Sequence, residues 1–193
     1  MSLHPLRKQI EEIVKLTDDE FTFVLEHFHK KVYKKHQIVL HEGDYAQFDF
    51  FVIKGLMRVT RLDSEGKEHI LQFGMENSWV TDGESYHHKT ASLLTIDCLE
   101  ETEVLSLTLE NKEKLIKELQ KMQIFLLKKT INEHIVLQKR ILCFLSNNAN
   151  DRYHNILSLS PSLIQRVPKS MIASYLGVTR ETLSRLSKSK LKM

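Results

Sequence analysis

Residues that fix a fold by covalent or conformational means are scarce in this chain: two cysteines, three prolines, six glycines and one tryptophan among 193 residues. Cys98 and Cys143 fall in different predicted elements with no partner at metal or redox spacing, which excludes a disulfide framework, a zinc site and an iron–sulfur cluster. Both read as reduced packing residues. The opening MSLHPLRKQIEEIV lacks the apolar core of a signal peptide, and no run approaches the ~18 apolar residues of a membrane span. A cytoplasmic protein without a membrane partner is expected. A Gly-rich phosphate loop, a nucleophile elbow and a metal-binding dyad are also missing, which argues against an enzyme. Glu100-Glu101 reads as loop surface, and His87-His88 as a polar loop pair rather than haem or metal ligands. No metal and no cofactor is expected.

What is present is unevenly distributed. Five of the six glycines lie between Gly43 and Gly83, whereas Glu84 to Ser160 contains neither glycine nor proline. The first interval suits short strands and hairpins, the second a long helix. Charge divides the chain in the same way. Residues 1–107 carry 12 Lys and Arg against 19 Asp and Glu, and residues 108–193 carry 16 against 6. From Arg166 onward seven basic residues meet one acidic residue. A polyanionic partner is therefore expected for the C-terminal part alone.

Thr17-Asp18-Asp19-Glu20 is a capping box, followed by the apolar stripe Phe21, Val24, Leu25 and Phe28 at helical spacing. Strands are predicted at Gln37–His41, Phe48–Ile53, Leu56–Arg61, Glu68–Phe73, Ser92–Asp97 and Glu103–Leu107, with turns at Lys54-Gly55 and Asp63-Ser64-Glu65-Gly66. This pattern predicts an antiparallel jelly roll. From about Glu110 the period becomes helical. Leu115, Leu119, Met122 and Leu126 form one seam, and Ile124, Ile131, Ile135 and Leu142 a shifted face. The seam is expected to serve partly against the chain's own roll and partly between two copies.

Near the C-terminus, Pro168 suits a first helical turn, Lys169 to Leu176 a short helix, and Gly177 the left-handed position that ends it. Thr179 is placed to cap a second helix, with Glu181 in its first turn. At about 100° per residue, Leu183 and Leu186 share one side of that helix. Arg180, Glu181, Ser184, Arg185 and Lys188 share the other. Two short helices about a glycine turn make a helix-turn-helix, and the charged arc has the chemistry for base edges and phosphates in a major groove.

The run VPKSMIASYLGVTRETLSRLSK resembles the C-terminal helix-turn-helix of the Crp/Fnr (cyclic-AMP receptor protein-like) family of bacterial transcription regulators. HEGDYAQFDFFVIKGLMRVTRLDSEGKEHILQFG is similar to the first strands of that family's cyclic-nucleotide-binding β-roll. The resemblance implies an α+β, two-domain chain. Residues 1–108 would form a double-stranded β-helix sensor with N-terminal helices, 109–134 a connecting and dimerisation helix, and 135–193 the DNA-binding domain. It implies that Arg180, Glu181 and Arg185 read bases, that Thr179 and Lys169 touch phosphate, and that Ser184 and Lys188 assist. The family's β-hairpin wing is expected to be short or absent, with its place left to Lys188, Lys190 and Lys192.

In the sensor, the family's glycine-glutamate pair corresponds to Thr81-Asp82 or, shifted by two, to Gly83-Glu84. Ser92 stands where an arginine would hold the cyclic phosphate, and Lys89-Thr90 mimics that arginine pattern only out of register. Losing a bidentate guanidinium weakens an oxyanion site by ~1.5–3 kcal/mol, so cyclic AMP is not the expected effector. The implied partners are double-stranded DNA bearing a pseudo-palindromic operator and a second copy of the chain, with RNA polymerase and an unidentified small-molecule effector as further candidates. The competing reading is a ligand-binding roll whose helical tail docks on a protein, without an operator of its own.

Overall fold

The computed structural model describes residues 4–189, with side chains described for residues 4–186. Helices α1 (Pro5–Glu11) and α2 (Asp18–Glu26) come first. Strands β1 (His29–Tyr33), β2 (Ile38–Leu40), β3 (Phe48–Lys54), β4 (Met57–Leu62), β5 (Glu68–Gly74) and β6 (Trp79–Val80) follow. A short helix, α3 (Gly83–His88), leads to β7 (Thr95–Cys98) and β8 (Thr102–Thr108). The remainder is helical: α4 (Leu109–Glu118), α5 (Gln120–Ser146), α6 (Ala149–Leu159), α7 (Pro161–Arg166), α8 (Lys169–Leu176) and α9 (Arg180–Ser189).

Among the described residues the strands form two antiparallel four-stranded sheets, ordered β1-β8-β3-β6 and β2-β7-β4-β5. Alternation along β3 builds two cores from one strand. Phe50 and Val52 point into the roll with Leu40, Met57, Val59, Ile96, Cys98 and Val104. Phe51 points outward to Leu6, Ile10, Val24, Trp79, Leu115, Met122 and Phe125, where the helices cover the sheet. The β3–β4 turn depends on Gly55 at φ +107°. A Cβ there would lie 2.6 Å from both the Glu101 carbonyl oxygen and Thr102 Oγ1.

The capping box forms as read: Glu20 N–H donates to Thr17 Oγ1 (3.2 Å) and Thr17 N–H to Glu20 Oε2 (2.7 Å). Lys121 of α5 donates to the same Glu20 oxygen (2.7 Å), and this bond, with that from Thr17, holds the carboxyl below its usual range. Cys98 is fully buried, which pushes its thiol up to about 11, as expected of a packing residue.

Three local expectations change. Strands β1 and β6 were not among those predicted; β1 reads HKKVY and lies exposed at a sheet edge, and β6 is two residues long. The segment at Ser92 is a loop whose backbone pairs with Gly43 and Asp44, and the strand starts at Thr95. The long helix is broken at Leu119, which takes extended backbone (φ −131°, ψ 97°) so that α4 and α5 can both pack on the roll. Lys112 of α4 and Lys129 of α5 then approach the same buried carboxylate, Asp49, at 3.6 and 3.9 Å. Leu115, Met122 and Leu126 are buried in the chain's own core, with Leu119 packed against it. Ile124, Leu127, Ile131, Ile135, Leu142 and Leu145 are exposed.

Candidate nucleic-acid interface and roll pocket

Helices α8 and α9 meet around Leu183, which is 1% exposed. Ile172, Ala173 and Leu176 surround it in the same core, with Val178 and Leu186 packed against them. Pro168 is the cap residue of α8 rather than a member of its first turn. Gly177 takes the left-handed conformation (φ +66°), and the Val178 N–H turns back to the Ala173 carbonyl (3.0 Å), closing the helix. Thr179 Oγ1 accepts from the Thr182 N–H (3.1 Å), capping α9. Thr179 is exposed at the cap, Arg180, Glu181 and Arg185 are exposed on the arc facing away from Leu183 and Leu186, Ser184 is half-buried there, and Lys169 is exposed at the start of α8. Backbone N–H donation and the Thr179 hydroxyl hold the Glu181 carboxyl below its usual range. Lys188 lies on α9 with its side chain outside the described residues, as do Lys190 and Lys192 entirely.

The roll's candidate site is built differently. Asp82 is 7% exposed and caps α3, with Oδ1 accepting from Glu84 N–H (3.1 Å) and Ser85 N–H (3.2 Å). Its Oδ2 accepts from Ser92 Oγ at 2.7 Å, and Ser92 is 1% exposed. Thr81 Oγ1 donates to the Phe48 carbonyl (2.9 Å), and Thr90 gives its carbonyl to Ser85 Oγ (2.6 Å). Gly83, Glu84, Lys89 and Thr90 are exposed. The structure thus unites Asp82 with Ser92, while Glu84 and Lys89 point to solvent. Two nearby cavities, of about 430 and 600 Å³, share the wall Tyr45-Ala46-Gln47. Leu40, Phe50 and Ile96 line the first; Tyr86, Glu110, Glu113 and Lys89 line the second.

Residues 30–119 match the family model of the cyclic nucleotide-binding domain. This segment is similar to that family. No curated protein sequence matches the chain. Among solved structures, FixK2 from Bradyrhizobium japonicum is 20% identical over 84% of this chain and 83% of its own, with TM-score 0.72. A transcriptional regulator of the Crp/Fnr family from Eubacterium rectale is 16% identical over 90% and 83%, with TM-score 0.68. The catabolite activator protein of Thermus thermophilus is 23% identical over 92% and 84%, with TM-score 0.54. The chain therefore has the fold of these regulators: a cyclic nucleotide-binding roll, a long helix and a C-terminal helix-turn-helix.

In this cyclic nucleotide-binding domain, the N–H groups that open α3 are already occupied by the chain's own carboxylate. An anion brought to Ser92 would meet a buried aspartate rather than a guanidinium, a like-charge juxtaposition.

The helix-turn-helix is docked on this domain by residues that its motif does not mark. Arg166 donates to Glu100 (3.0 and 2.7 Å), to Glu76 (2.8 and 3.1 Å) and to the Gly55 carbonyl (2.8 Å), spanning three turns at one end of the roll. Ser174 of α8 donates to the Glu68 carbonyl (3.1 Å) and accepts from the Ile70 N–H (3.3 Å), satisfying the open edge of β5. Arg140 of α5 donates to the Leu71 carbonyl and lies 4.0 Å over the Tyr175 ring, which itself packs on Phe73. In sequence these arginines register only as net charge. Their hydrogen-bond partners in the roll lie 66 or more residues away, so no local pattern could have named them.

Proposed function

We propose that the chain is a dimeric, sequence-specific DNA-binding transcription regulator of Crp/Fnr type, acting in the cytoplasm and not as an enzyme. The observation that carries this reading is the division of α9: Leu183 buried against α8, and Arg180, Glu181 and Arg185 exposed on the opposite arc. Arginine pairs bidentately with guanine O6 and N7, and an ionised glutamate accepts from cytosine N4. Lys169 and Thr179 would touch flanking phosphates, Ser184 would assist on the same arc, and Lys188 is assigned to that arc by its sequence spacing alone. The fold shared with a Crp/Fnr transcriptional regulator supports the role. Residues 1–108 act as sensor, 109–134 as connector and 135–193 as DNA-binding domain.

A second copy supplies the second half-site. The exposed apolar stripe of α5, from Ile124 through Ile131 and Ile135 to Leu142 and Leu145, is the surface it would cover. Two α9 helices about 34–36 Å apart would then read successive major grooves of a pseudo-palindrome. The regulator answers to an effector other than cyclic AMP; the reading is supported by Ser92, which stands where the resemblance calls for a phosphate-binding arginine and donates instead to Asp82. RNA polymerase is its downstream partner.

Selection of bound sequences from random duplexes tests the reading, with and without cyclic AMP. A symmetric enriched site that does not depend on the nucleotide is the expected result. Weak, sequence-indifferent binding with a steep salt slope would instead favour a roll whose tail docks on a protein.

A further inference from the structure

We infer that the ion cluster of Arg166 with Glu76 and Glu100 is an autoinhibitory clasp, holding the helix-turn-helix against the acidic roll and opposing its engagement with DNA. This rests on the reading of α9 as a DNA-binding helix. The contact is built as a joint. One guanidinium donates to two carboxylates and a carbonyl, and all three acceptors sit on connections that cross from one sheet to the other: Gly55 between β3 and β4, Glu76 between β5 and β6, Glu100 between β7 and β8. Glu76 also accepts from the Gly55 N–H (2.9 Å), so the turns are tied to each other as well as to α7.

The rest of the interface combines polar bonds with an apolar seam. Ser174 holds the β5 edge through two hydrogen bonds, and Arg140 binds backbone carbonyls of the same strand. The apolar share is Leu56 and Leu99 in the helical core, with Phe73 and Met75 packed against it. The clasp and these few groups set how firmly the two parts are docked.

Charge gives the contact its sign. Residues 1–107 carry 19 acidic against 12 basic residues, and α8 is fastened directly to the backbone at Glu68. While docked, α8 and α9 present a basic face beside an acidic body. A duplex arriving at α9 meets like charge from the roll as well as attraction from Arg180 and Arg185. Parting the clasp removes that repulsion. It also frees Arg166, which joins the excess of basic residues in the segment it opens.

The test uses full-length protein carrying E76Q/E100Q, which keeps side-chain shape and removes the charge that Arg166 holds. Amide exchange at Ile70, whose N–H donates to Ser174 Oγ, reports docking without reference to DNA. Affinity for the selected operator, or for a random-sequence duplex at the same salt, reports the consequence. The expected result is exchange about tenfold faster at Ile70, the ratio corresponding to about 1.4 kcal/mol of lost charge-assisted bonding, together with about tenfold tighter DNA binding. Arg166→Ala should speed exchange at Ile70 when made alone and add little on top of E76Q/E100Q, which separates loss of the ion cluster from general damage.

Unchanged protection at Ile70 in E76Q/E100Q would overturn the clasp. So would faster exchange accompanied by unchanged or weaker DNA binding. In either case a symmetric site selected by the wild-type protein would leave the DNA-binding reading standing.

Discussion

The N-termini of α3 and α9 pose one problem, free backbone N–H groups, and answer it with opposite consequences for their surroundings. At α3 the capping side chain is charged and buried, and its second oxygen is taken by Ser92. At α9 the cap is a neutral threonine, and the charged residues that follow it face outward. A polar side chain offers a binding site only where the chain has not already satisfied it. By that measure the N–H groups that open α3 are already taken, whereas α9 presents exposed charged residues to a partner.

Substitutions at the two helices should have opposite consequences. The largest effect is expected at the packing that makes α9 two-sided: Leu183→Ala should destabilise the helix-turn-helix by about 2–5 kcal/mol, read from chemical unfolding. Arg185→Ala should leave the unfolding midpoint where it is, lower operator affinity by about 1–3 kcal/mol and relax base preference, read by titration against matched and mismatched duplexes. Asp82→Ala acts in the reverse sense. It should cost about 0.5–2 kcal/mol of stability through loss of the α3 cap, and leave DNA affinity per folded molecule unchanged. Wild-type protein titrated with cyclic AMP should give no heat of binding; saturable heat would break the contrast at the roll.

The smallest effect is expected from pH. Bonds from Arg166 hold the Glu100 carboxyl below its usual value. At Glu76 burial pushes the carboxyl up, but the bonds from Arg166 and from backbone N–H groups together outweigh it, and the net direction is down. A depressed carboxyl stabilises the folded, docked form above its unfolded value, about 4.3, and this contribution is lost as pH falls through the lower folded value. Docking should therefore be flat from neutral pH down to the ordinary glutamate range and weaken only below it. Ile70 exchange, corrected for its intrinsic pH dependence, would follow the loss.

The helix-turn-helix was legible because its determinants are adjacent in sequence: Gly177 for the left-handed turn, Thr179 for the cap, Leu183 and Leu186 for the buried side. The Thr17 capping box was legible for the same reason. Strand β1 was not, since its lysines and histidine serve an exposed sheet edge and leave no apolar alternation to count. The break at Leu119 carries neither glycine nor proline; it is imposed by two helices packing on one roll. At the roll pocket, sequence named Asp82 and Ser92 as separate candidates, and only the fold showed that each is the other's partner.

Ser174 has a further consequence. Strand β5 ends its sheet, and a serine side chain, not a neighbouring strand, closes the Ile70 N–H and the Glu68 carbonyl. Whenever α8 lifts away, a bare strand edge carrying the exposed Leu71 faces solvent, a template for pairing with any extended chain. The open form therefore carries a self-association hazard. Brief openings, or capture by DNA or a partner before two bare edges meet, would keep it in check.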